Sequence, residues 1–421
     1  MRKLGIVALG AAAALTLAGC ATTGSDAASE EGAEIRVWLV GTDTPDAARD
    51  YLVETFEEEH PDSTLVIEEQ SWDGLVDRLT TSLSGSDSPD IVEVGNTQAS
   101  AFTSAGAFLD LTEHYDELGG DDLLPGFVEA GSYDEKFYAA PLYSGSRLVF
   151  YKKDALAAAG LEAPTTLDQY IEQGVQLAEA NPGKSGIWWP GQDWYNALPY
   201  VWENGGEIAV PDGDEWDAQL SSSESVAGLE QVQQVMTEAS RAPKDANETS
   251  PEVGFCDGTT LQLSAPSWVK WSILAPADAE TPGCPEEEAN LGVYALPGKD
   301  GGAAQVFAGG SNVGISAKSE KQAGAKELLR IIYSDEFQQM LGENGLGPAN
   351  TKFVDSLGDD IFATALIDSA LNSKLTPAAP GWAAVEGQKI LEEFFGKVAA
   401  GGDIPALAEE YDEKIDAIIN G

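Results

Sequence analysis

Histidine is nearly absent: His60 and His114 are the two in 421 residues. Both sit in polar, solvated stretches, EEEHPD and TEHYDE. Neither has the second histidine at i, i+4 that an H-E-x-x-H metal site requires, which argues against imidazole chemistry and a resident metal. Basic residues are also scarce. Lysine and arginine total 23 against 71 aspartates and glutamates, a formal charge of −48. Such a surface is repelled by phosphate backbones and anionic headgroups, so no nucleic acid partner is expected. The acidity suits an exported or salt-adapted surface and names no substrate. Nucleophile motifs are missing: there is no G-x-S-x-G, and GKDGG and FAGGSNVG fit neither a P-loop nor a dinucleotide fingerprint. No cofactor is expected, and the chain reads as a non-enzyme.

Long apolar runs are equally rare. LGIVALGAAAALTL, about 14 residues after Arg2 and Lys3, falls short of the roughly 20 that span a bilayer. It reads as part of a signal peptide over residues 1–19, whose end is spanned by Leu17-Ala18-Gly19-Cys20, a tetrapeptide similar to a bacterial lipobox. Cys20 is then the lipidated first residue of the mature chain, and the membrane is met through that anchor alone. The small, polar residues 20–33 form a tether, about 20 Å long as a flexible coil. Of the three cysteines, Cys256 and Cys284 remain. In an oxidising compartment they read as a disulfide worth about 3 kcal/mol, with two buried thiols as the alternative.

The folded part opens with alternating segments. EIRVWLVG, STLVIEEQ and SPDIVEVG read as strands, AARDYLVETFEEEHP and WDGLVDRLTTSLSG as helices. Such alternation predicts βαβ units and a parallel sheet, whose ligands bind beyond the C-terminal strand ends. The loops at residues 41–46, 70–73 and 95–98 become candidates. KFYAAPLYSGSRLVFYKKD reads as strand, turn, strand; Thr165 or Thr166 caps a helix; from Lys321 the chain is mostly helical. The fold class is α/β with a helical C-terminal tail. At 421 residues the chain is long enough for two lobes.

Tryptophan is the informative residue. Residues 188–206, WWPGQDWYNALPYVWENGG, hold four of the ten, beside the proline and glycine of a loop. Flat rings beside polar side chains suit sugars, which present an apolar CH face and a polar rim.

The order of motifs adds a resemblance. Lipobox, acidic tether, SPDIVEVG, YAAPLYSGSRLVFYKKD, APSWVKW, FAGGSNVGISAKS and GLGPAN together are similar to bacterial ABC-importer solute-binding lipoproteins, the family that includes maltose-binding protein. The resemblance covers the chain from Glu34 onward. It implies a two-lobed flytrap fold, with crossings near residues 143–146, Gln305 and Pro348. The lobes would be residues 34–143 plus 306–348 and residues 144–305 plus 349–421. It also implies a monomer that delivers its ligand to permease subunits with their ATPase. Trp72 stands in a candidate loop, and the resemblance, carried over residue by residue, implies substrate contacts from Thr42, Asp43, Asn96 and Gln98 and, at the hinge, Tyr143 and Arg147. Asp193, Trp194, Tyr195, Trp268, Gly310, Ser311 and Trp382 complete the set, while Trp188 and Trp202 are left to packing. Val94, Thr97 and Gln98 stand where maltodextrin binders carry an aromatic or charged residue. A di- to trisaccharide is the expected ligand. The alternatives are a polyamine or other cationic solute, a secreted glycan-active enzyme, and a surface lipoprotein without a small ligand.

Overall fold

The computed structural model describes residues 32–41, 43–213, 215–279 and 281–421. The expected signal peptide, the Cys20 lipidation site, the tether up to residue 31, and Thr42 lie outside them.

The opening alternation forms as expected. Strand β1 (Glu34–Val40) is flanked in parallel by β2 (Thr64–Gln70) and β3 (Ile91–Gly95). Helix α1 (Asp46–Glu59) buries Ala48, Leu52 and Phe56, and α2 (Leu75–Ser84) buries Leu75, Leu79 and Leu83. Both are the i, i+4 stripe of an amphipathic helix covering a sheet face. A short helix, α3 (Asn96–Ser104), leaves the end of β3 directly.

The stretch expected to turn does not. Ala139–Lys152 is one unbroken strand, β4. Ser144-Gly145-Ser146 has turn composition, but its backbone is engaged by the strand beside it. Farther along are helix α4 (Leu167–Ala180), capped by the Thr166 side chain, then β5 (Gln262–Pro266), helix α5 (Val269–Ile273) and β6 (Leu291–Tyr294). Next comes β7 (Val306–Ile315), whose Ala308, Gly309 and Gly310 pair with Ser146, Gly145 and Ser144. Tertiary pairing overrides the local turn preference here. The short β8 (Gly347–Pro348) then pairs with Ser144 and Tyr143. Three chain passages thus lie side by side in one sheet of order β6-β4-β7-β3-β1-β2.

The buried apolar side chains separate along β4. Ala140, Leu142 and Tyr143 pack with β1, α1 and the helix Gln322–Ile332. Leu148 and Phe150 pack with Leu263, Val293 and Phe362, and Val149 joins a core containing α4 and the C-terminal helices α6 (Trp382–Gly387), α7 (Ile390–Ala399) and α8 (Ile404–Ile419). On β7 the change falls between Phe307 and Val313. Each half of the molecule has its own core, and they share the long strands. Cys256 and Cys284 are bonded, Cα atoms 5.4 Å apart, beside Phe255 and Ile273 within the second half.

Candidate ligand-binding cleft

A cleft of about 520 Å³ opens at the C-terminal ends of β1, β2 and β3. All three candidate loops reach it, through Asp43, Trp72 and residues 95–98. The facing wall is built by Gln192 to Tyr195, residues 247–249, Trp268, Lys389 and Glu392 from the second half, with Phe307 from the shared strand β7. Tyr143, Gly145, Arg147, Gly309 and Gly310 from the shared strands and Pro266 of β5 complete the lining.

Glycine explains where the best platform lies. Trp268 follows β5 and is half-buried, its ring lying across the backbone of Gly145 and Gly309. A Cβ at Gly145 would stand 2.2 Å from the Trp268 ring, and one at Gly309 3.3 Å from it. With no side chain at Gly145 or Gly309, the six-membered ring of the indole sits directly against strand backbone, and Trp268 also lines the cleft. Trp72, 39% exposed, lies against Gly41 and Gly95 and donates its Nε1–H to Asp43 at 2.7 Å. A third aromatic group stacks Trp194 on Tyr195 (3.9 Å between ring centres) and Tyr195 on Phe307 (4.7 Å). Tyr195 is half-buried and Trp194 2% exposed, so Tyr195 carries the accessible ring and Trp194 backs it.

Polar groups stand between the rings. Asp43 accepts from Trp72 and, at 3.3 Å, from the Tyr143 hydroxyl; burial pushes its carboxyl up. Arg147 is 1% exposed and contacts Glu248, the Asn196 side-chain oxygen at 3.1 Å and Asp193 at 3.6 Å. Its guanidinium carbon lies 5.6 Å from the centre of the Tyr195 ring. Asp193 is engaged by Asn196 and Arg147, and burial, then the Glu248 charge, push its carboxyl up. It orients Arg147 more than it offers lone pairs to a ligand. Asn96 donates to the Ala308 carbonyl at 2.6 Å, while the buried Gln98 Oε1 has no partner among the described residues.

Of the expected site residues, Ser311 and Trp382 stand away from the lining. Ser311 is buried in β7, its hydroxyl donating to Tyr143 at 3.3 Å. Trp382 is 0% exposed, edge-on behind Trp194, and donates to Glu386 at 2.8 Å. The family resemblance implied a platform; instead α6 begins at Trp382 and the ring is buried in the core. It supports the aromatic wall from behind. Thr42 is outside the described residues. Glu248, Asn247, Thr249, Phe307, Lys389 and Glu392 were not expected. They sit in an irregular acidic loop, a strand and a helix start, with no local signal. A larger cavity of about 860 Å³ lies beyond Asn96 and Thr97, walled largely by aliphatic and aromatic side chains including Trp202. It offers few partners for a polar rim.

Two α/β halves sharing long strands, with an aromatic and polar cleft at the strand ends, define a two-lobed ligand-binding protein of the periplasmic-binding kind. The chain belongs to the bacterial extracellular solute-binding protein family, whose model matches residues 41–339. It is similar to the diacetylchitobiose binding protein DasA of Streptomyces coelicolor, 32% identical over 397 residues and 91% of each chain. Among solved structures it resembles the sugar-binding protein MalE of Xanthomonas citri (TM-score 0.77, 22% identity, 92% of this chain and 97% of that one). The GacH receptor of Streptomyces glaucescens, solved unliganded and with acarbose, is also similar (TM-score 0.76, 20% identity, 92% and 98%). At these identities the structural likeness speaks for the fold alone.

Proposed function

We propose that this chain is the ligand-capturing lipoprotein of an ABC importer and takes a di- to trisaccharide between its lobes. Its lobes are residues 34–143 plus 306–348 and residues 144–305 plus 349–421, and a lipid on Cys20 tethers the monomer to the outer face of the cell membrane. The observation that carries the reading is the pair of glycine-backed indoles, Trp268 and Trp72, lining one cleft with Asp43, Gln98 and Arg147. Rings accept the CH faces of pyranoses, and the carboxylate, amide and guanidinium suit their hydroxyl rims. A volume of about 520 Å³ lies within the ~300–1,000 Å³ of small-ligand sites. The similarity to a diacetylchitobiose binder makes N,N′-diacetylchitobiose the first sugar to try. Contacts from both lobes favour the closed form, so capture is a population shift in which no bond is made or broken. Permease subunits with their ATPase then receive the closed form.

The test is calorimetric titration and thermal melting with a panel of di- and trisaccharides, with spermidine alongside. A sugar at 100 times its Kd adds about 2.7 kcal/mol of stability. Stabilisation by a sugar with no product formed supports the reading. Stabilisation by spermidine alone replaces it with a cationic ligand, and release of product replaces it with an enzyme.

A further inference from the structure

Beneath the cleft floor lies a carboxyl that ligand contact leaves unused. Glu93, on β3, is 0% exposed; the Val40 N–H donates to its Oε2 at 2.7 Å and the Tyr143 hydroxyl reaches its Oε1 at 2.9 Å. The same phenol stands 3.3 Å from Asp43 Oδ2 on the cleft surface and accepts from Ser311 at 3.3 Å. A tyrosine hydroxyl carries one proton and cannot donate to both carboxyls. Burial, with Glu93 and Asp43 nearby, holds the phenol proton in place well above the ordinary tyrosine range. One carboxyl must therefore hold a proton of its own or go without its donor. The ionisable groups facing Glu93 are Asp43, from the loop after β1, and Tyr143, from β4; Arg49 of α1 lies behind Asp43. Its neighbours from β1 and β7 are neutral: the Val40 amide, which donates to it, and the Ser311 hydroxyl, whose one proton goes either to it or to the Tyr143 oxygen. Asp43 is only half-buried, receives the Trp72 N–H and feels Arg49, so the charge stays there.

We propose that Glu93 is a positioning residue which holds a proton and, through Tyr143, prepares Asp43 as the ligand acceptor. Protonated Glu93 donates to the phenol oxygen, the phenol donates to Asp43, and the carboxylate keeps its remaining lone pairs for ligand hydroxyls. When Glu93 ionises, the phenol turns to the nearer carboxylate. Asp43 then loses a donor and faces a second negative charge across one hydroxyl. A ligand filling the cleft strips water from Asp43 and selects the singly charged state. Affinity is therefore highest with Glu93 protonated and falls as pH rises through its titration. The inference rests on the cleft being the carbohydrate site.

Two measurements on the mature chain test it. The Trp72 indole N–H donates to Asp43, so its NMR resonance reports the relay without any ligand. It is expected to titrate near pH 7, since burial pushes Glu93 up to about 7, and to stop titrating in Glu93→Gln and in Tyr143→Phe. The second is the calorimetric Kd of whichever panel sugar binds, from about pH 5.5 to 8.5. Wild type is expected to weaken roughly tenfold across that range, the equivalent of a one-unit coupled shift. Glu93→Gln, a neutral mimic of the protonated group, is expected to stay flat at the low-pH affinity. An indole resonance that does not move, or coincident wild-type and Glu93→Gln profiles, overturns the relay. If no sugar binds at any pH while the indole titrates as described, the carbohydrate reading fails and the relay stands. Should Glu93→Gln not fold, the wild-type titration and Tyr143→Phe decide.

Discussion

Gly145→Ala is the sharpest perturbation of the platform. Gly145 lies in mid-strand without a positive φ, so alanine fits its backbone. The new methyl would stand 2.2 Å from Trp268 Cζ3 and 2.6 Å from Cε3. Ordinary contact is more than an ångström longer, and the Gly145 side of the ring is backbone, which cannot retreat. The indole must lift into the cleft where the sugar face would lie. A ring face covering about 100 Å² at about 25 cal/mol per Å² contributes about 2.5 kcal/mol. Losing it raises Kd by roughly seventy-fold. Trp268→Ala should cost about as much, and Gly145→Ala added to Trp268→Ala should cost little more, because the glycine acts through the ring. Calorimetry on the four proteins completes the cycle, with melting curves to confirm folding. Wild-type affinity in Gly145→Ala, or full additivity in the double variant, would refute the glycine-floor reasoning.

Trp72→Phe keeps a ring but removes the N–H to Asp43, and is expected to weaken sugar binding about fivefold by the loss of one hydrogen bond. Replacing Cys256 and Cys284 with serine opens a loop of sequence separation 28 and should remove about 3 kcal/mol in urea unfolding. Sugar Kd should hardly change, since the bridge lies within one half of the molecule. Burial pushes Glu386 and Glu93 up to about 7 from an ordinary 4.5. Between those values the folded chain holds more protons than the unfolded one, so stability should fall as pH rises from about 4.5 to about 7 and stay lower above. Glu386→Gln should flatten part of that slope, and a urea midpoint that climbs through the window in wild type and variant alike would count against it.

The opening β–α–β–α–β run was legible because period and punctuation agree. The Leu75, Leu79, Leu83 stripe and the apolar run of β1 have one reading each. The loops after those strands then became candidates by topology alone, and Asp43, Trp72, Asn96 and Gln98 do line the cleft. Ser144-Gly145-Ser146 was misread because its composition favours a turn, whereas its state depends on pairing with Ala308 to Gly310, more than 160 residues away. Trp382 differs because a residue matched through the family resemblance carries no information on which way its ring points. Glu93 resembled any strand acid in an acidic chain, and Glu248 any loop acid. Only the neighbours each meets, Tyr143 for one and Arg147 for the other, separate them from the rest.

The sequence by itself determined the local elements, the expected export signal, the family resemblance and the supply of rings, glycines and polar groups from which the cleft is made. These follow from short-range periodicity and composition. Tertiary structure decided which indoles present a face, which acids share a proton and which glycines serve as floor. Such properties belong to side chains brought within a few ångströms across the shared strands, and no spacing along the chain encodes that distance.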